Sequence, residues 1–163
     1  MKAKAITLLL GVLVLSFGAK RVMGHCEIPC GIYNDEVRAN LIEEHAGTIE
    51  KSMKTIVSLQ NAAETDYNQL VRWIANKDDH ANKIQDIVTQ YFMTQRIKTD
   101  TADYSAKIRA LHEMLIYAMK CKQTTDTQNV AKLRQSLDTF RRLYFSKSKH
   151  THSTQKKKLN QKK

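Results

Sequence analysis

The chain has 163 residues and a formal net charge of +11, with 42% hydrophobic and 26% charged residues, three Cys, five Gly and a single Pro. That length suits one domain with its own core, and the scarcity of Gly and Pro, together with the absence of alternating apolar runs, excludes a sheet architecture and points to an all-α fold. The charge is not spread evenly. Four basic residues precede position 25 and seven follow position 145, so the stretch between them sets 16 basic residues against all 16 acidic ones.

Residues 1–24 carry Lys2 and Lys4, an apolar run from Ile6 to Phe17, and a short segment ending Val22-Met23-Gly24. This is the layout of a secretory leader cleaved after Gly24, with short side chains before the cut. The apolar run is too short to span a bilayer comfortably. Cleavage would export the protein and make His25 the free N-terminus.

The next nine residues are His25-Cys26-Glu27-Ile28-Pro29-Cys30-Gly31-Ile32-Tyr33. With His25 first, its α-amine and the Cys26 backbone nitrogen close one chelate ring on a metal, and the Cys26 nitrogen and thiolate close a second. Pro29 favours a tight return of the chain that can bring the Cys30 thiolate into the fourth planar position, and Gly31 permits close approach. The His25 imidazole can reach an axial position. A planar set of two nitrogens and two sulfurs suits nickel(II) or copper(II), whereas zinc and iron-sulfur centres take tetrahedral thiolate sites. The competing readings are a small Cys26–Cys30 disulfide loop in an exported helical binding module, and a non-catalytic nickel or copper carrier.

Four helices follow, and their short connections predict an antiparallel four-helix bundle over residues 34–145. The first is expected from Asp35, as N-cap, to Leu59, burying Val37, Leu41, Ile42, Ile49, Met53, Ile56 and Val57. Asn61-Ala62-Ala63 forms a turn. The second runs from about Thr65 to Lys98 with Leu70, Val71, Ile74, Ala81, Ile84, Ile87, Val88, Tyr91 and Phe92 inward, and Asn76-Lys77-Asp78-Asp79 is expected to kink or split it. Thr99-Asp100-Thr101 offers caps for a third helix through Ile108, Leu111, Leu115, Ile116 and Met119. Thr124-Thr125-Asp126 breaks it, and a fourth helix carries Val130, Leu133, Leu137, Phe140, Leu143 and Tyr144. Cys121 is expected to be a buried or semi-buried free thiol, and His45, His80, His112, His150 and His152 to be surface or packing residues, because none of the histidines falls in a common metal motif.

Residues 146–163 hold seven Lys and no acidic residue and are expected to be a disordered tail. Such an end can tether the protein loosely to an anionic surface. Nucleic acid is not an expected partner, because the lysines lack stacking aromatics.

The pattern H-C-x-x-P-C-G-x-Y at His25–Tyr33 resembles the N-terminal hook of the nickel-containing superoxide dismutases at every fixed position. The resemblance continues through Asn68-Gln69-Leu70-Val71-Arg72-Trp73, Gln90-Tyr91-Phe92 and Met119-Lys120-Cys121-Lys122-Gln123. It implies disproportionation of superoxide to dioxygen and hydrogen peroxide by a nickel ion, one per subunit, that alternates between the 2+ and 3+ states. It implies His25, Cys26 and Cys30 as ligands, Tyr33 and Tyr91 as gating tyrosines, and assembly into a homohexamer. A Glu and Arg pair that fixes the axial imidazole is also implied, for which Glu43 or Glu44 with Arg72 are candidates.

Overall fold

A computed structural model describes residues 34–101 and 103–160, with side chains through residue 145. The hook and the proposed leader lie outside the described residues. The first helix, α1, spans Asp35–Gln60. Its N-cap is Asn34, one residue earlier than expected, whose side-chain oxygen accepts from the backbone N–H of Glu36 at 2.8 Å and of Val37 at 3.3 Å. Because Asn34 takes the cap, the Asp35 carboxylate is released for tertiary bonds.

After a turn at residues 61–64, Asp66 caps α2, Tyr67–Asp86, by accepting from the Gln69 N–H at 3.0 Å. The expected kink at Asn76–Asp79 does not occur there. Lys77 is 3% exposed, and its Nζ donates to the carbonyls of Cys121 at 2.8 Å and Lys122 at 2.6 Å. A cation on the last carbonyls of a neighbouring helix satisfies groups that the helix itself leaves unbonded. The change of winding comes later, where α2 continues without a break as a π-helical segment, Ile87–Arg96. Its closing bond runs from the Ile97 N–H to the Phe92 carbonyl at 3.0 Å, five residues back.

The third helix, α3, spans Tyr104–Gln123 and starts at Asp103, just beyond the expected Thr99–Thr101 cap. Residues 124–127 break the chain as expected, and Asp126 receives the Gln128 N–H at 2.9 Å as α4 begins. Helix α4 spans Gln128–Asn160, so the helical backbone runs on through most of the lysine-rich end that the composition assigns to a disordered tail. That segment contains neither Gly nor Pro, and Lys, Gln and Leu are good helix formers.

Among the described residues the fold is all-α, and each helix packs on its chain neighbours while α4 closes back on α1. The buried positions are spaced three and four apart: Ala39, Ile42, Ala46, Ile49, Met53 and Ile56 on α1; Lys77, Ala81, Ile84 and Val88 along α2; Leu111, Met114, Ala118 and Cys121 on α3; Val130, Leu133, Leu137 and Phe140 on α4. This is the seam of a bundle packed knobs into holes. It is narrower than the expected stripes. Val37, Val57, Val71, Ile74 and Met119, all expected inside, are at least 39% exposed.

Candidate metal centre and its support

The predicted ligands His25, Cys26 and Cys30, and the predicted gate Tyr33, lie outside the described residues. What is described is the ground on which the hook ends. Asp35, two residues beyond Tyr33, gathers three side chains from two other elements. Its Oδ1 accepts from the Tyr91 hydroxyl and from Arg96 Nε at 2.9 Å, and its Oδ2 accepts from the Tyr144 hydroxyl at 2.7 Å. Arg96 also donates from Nη2 to the Tyr91 oxygen at 2.9 Å.

The π-helical winding makes this possible. On an α-helix, residues five apart stand about 140° apart around the axis and do not meet. In the wider turn, Tyr91 and Arg96 lie side by side, with the guanidinium carbon 4.8 Å from the ring centre. Arg38 approaches the same ring at 5.6 Å. Tyr91 is 6% exposed, and beneath it Phe92 meets Phe140 at 4.8 Å and Tyr144 at 5.7 Å between ring centres. This aromatic layer fixes the level at which the hydroxyls meet the carboxylate.

Burial raises the pKa of Tyr91, and the bond to Asp35 adds to the rise, while Arg96 partly opposes it. Burial and Asp35 likewise push Tyr144 up. Both phenols therefore keep their protons at neutral pH and donate them to Asp35. Arg96 is held charged, chiefly by its bond to the Tyr91 oxygen and also by Asp35.

The candidate pairing of Glu43 or Glu44 with Arg72 does not form among the described residues. Glu43 instead accepts from Arg134 Nε at 2.7 Å, and Arg134 also reaches Glu50. Arg72 is exposed and lines a groove with Trp73, Lys51 and Thr48. The reason is topological, because α4 lies against α1 and delivers a guanidinium 91 residues away in sequence. Arg96 and Tyr144 were also not anticipated as site residues. Tyr144 carried only an apolar-stripe signal, and Arg96 carried none, since a spacing of five means contact only where the helix widens.

Cys121 is buried and free, and burial pushes its thiol up to about 11, which makes it an unreactive packing residue. Among the described residues no group of three or more His, Cys, Asp or Glu side chains is placed to hold a metal. The donor chemistry that would fit nickel is that predicted for the hook: an amine, an amide nitrogen, two thiolates and an imidazole, carried by the three residues His25, Cys26 and Cys30. No described helix is long and apolar enough to cross a membrane.

A family model described as nickel-containing superoxide dismutase matches residues 20–149, which is most of the chain. No curated protein and no solved structure matches it.

Proposed function

Because the chain belongs to the nickel-containing superoxide dismutase family, it is an oxidoreductase that uses nickel and acts on superoxide, and we propose that its catalytic centre is the hook, held in place by the Asp35 clamp. His25, through its amine and imidazole, Cys26, through its amide nitrogen and thiolate, and Cys30, through its thiolate, hold one nickel ion per subunit. That ion supplies a one-electron couple between the 2+ and 3+ states, by which two superoxide anions and two protons become dioxygen and hydrogen peroxide.

The observation that carries this reading is where Asp35 stands. It begins α1 immediately after the hook motif and is bonded at once to the π-helical segment and to α4. A short peptide holds a fixed geometry only if its base is fixed, and three charge-assisted bonds on one carboxylate do that. Tyr33 and Tyr91 restrict access to small anions. Arg96 and Arg38 both place positive charge against the Tyr91 ring, which favours the approach of an anion. The Tyr91 proton is committed to Asp35, so protons for peroxide come from water or from backbone N–H groups.

Formation of the centre requires cleavage after Gly24, and the leader makes export to a periplasmic or extracellular space the reason for that cut. Assembly into a hexamer is supported by an outward apolar stripe on α2, where Tyr67 is 74% and Val71 63% exposed. The lysine-rich end serves as a loose tether to anionic surfaces. Native mass spectrometry of the exported protein tests the reading. A chain that begins at His25 with one nickel per subunit is expected, and Cys26→Ser or Cys30→Ser should lose nickel and activity together. Full activity in either variant would move the site elsewhere.

A further inference from the structure

Helices α1 and α2 bring His45 and His80 together. Their Nδ1 atoms are 3.0 Å apart, and the rings meet edge to face with centres 4.9 Å apart and planes at 75°. Both side chains are half-buried. Burial lowers the pKa of each, and for His45 the neighbouring His80 and Lys83 lower it further. At neutral pH each ring is therefore uncharged and has one nitrogen lone pair to offer.

The distance decides what such a pair can hold. Imidazole nitrogen binds a first-row divalent metal at about 2.0–2.1 Å, so two nitrogens 3.0 Å apart subtend about 91–97° at a shared ion. That is the angle of square or octahedral coordination and not the wider tetrahedral one. Glu44 and Asp79 lie close enough to favour positive charge at the pair, while Lys83 opposes it and is itself bound to Asp79 at 2.7 Å. We propose that His45 and His80 form a second, bidentate metal site, separate from the hook, that takes copper(II) or nickel(II) through both Nδ1 atoms with water in the remaining positions.

Tetragonal geometry with nitrogen and oxygen ligands selects these two ions over zinc, and copper(II) binds the more tightly of the two. In the metal-free pair one ring donates its Nδ1 proton to the other. When the ion binds, that proton leaves to water and another is taken up at Nε2, so both rings stay neutral. The bound ion links α1 to α2 and stabilises the folded chain by an amount that grows with the logarithm of its concentration above the dissociation constant. The site rests on described residues alone, so it stands or falls independently of the hook.

The test uses the mature full-length protein with its nickel in place. Copper(II) is titrated into it and into the His45→Gln/His80→Gln double variant, with nickel content measured throughout. The wild type should bind one copper more per chain than the double variant, and its paramagnetic resonance spectrum should show coupling to two imidazole nitrogens. Either single variant should weaken that site by at least the roughly 10–100-fold lost when only an outer partner of a ligand is removed. Thermal stability should rise with copper in the wild type and not in the double variant. Equal copper binding and equal spectra in wild type and double variant would overturn the proposal, whatever the nickel content of the hook. Circular dichroism establishes that the variants are folded, and the single Gln variants keep the comparison open if the double one is not.

Discussion

From Tyr67 to Asp86 the second helix winds as an ordinary α-helix, and from Ile87 to Arg96 it widens, and polar side chains serve different ends on the two sides of that boundary. In the α-helical half, Lys77 is spent on architecture, since it caps the last carbonyls of α3. In the π-helical half, Tyr91 and Arg96 are stacked beside one another and turned onto Asp35, at the start of α1. The lesson is that a change in winding, with no change in composition, converts two residues that would face apart into one clamp. π-Helical turns are rare and gather at functional sites, and here the reason is visible in the contact it creates.

Three single substitutions and one double variant test that comparison. Phe92→Ala removes a fully buried ring shared by Phe140 and Tyr144 and should cost about 3–5 kcal/mol of stability, measured by denaturant unfolding. Lys77→Met should cost about 1–3 kcal/mol, because two carbonyls of α3 lose their donor. Activity per bound nickel should stay at the wild-type level, since the α-helical half does not touch the clamp. A large fall in activity per nickel would erase the distinction drawn between the halves.

Arg96→Gln reverses that pattern. It should cost only about 0.5–1.5 kcal/mol of stability yet lower kcat/KM for superoxide several-fold. Because the Arg96 bond holds the Tyr91 pKa down against burial, the variant should also move the Tyr91 titration to still higher pH, which ultraviolet absorbance reads directly. An unchanged tyrosine titration would mean that the widened turn does not control the phenol.

The smallest effect belongs to the histidines of α1 and α2. Both folded-state values lie below the ordinary 6.5, with burial as the main cause, so the folded protein binds fewer protons than the unfolded chain as pH falls past that point. Stability is complete above pH 6.5 and is lost as pH drops from 6.5 towards the depressed values. In the His45→Gln/His80→Gln protein that part of the acid-side slope should disappear, as melting temperature against pH would show.

The four helices and their breaks were legible because apolar residues recur at helical spacing and the punctuating residues, Asn61–Ala63 and Thr124–Asp126 among them, act locally. The candidate centre was legible for a related reason. With His25 as the N-terminus, the proposed chelate rings of His25 and Cys26 would be closed by adjacent backbone atoms, so residue order alone offers three donors before any folding. The N-cap was misplaced by one residue because Asn34 and Asp35 are both able caps, and only packing shows that Asp35 has other partners.

By itself, then, the sequence determined what depends on near neighbours along the chain: the helices between residues 35 and 145, the bundle's inward faces in outline, and the family. Tertiary structure alone decided the rest. It chose Arg134 over Arg72 as the partner of Glu43, left Val71 outside the seam, set His45 against His80, and widened the second helix so that Arg96 reaches Tyr91. Each of these depends on which helices lie side by side and on how one of them is wound, and neither is written in the local order of residues.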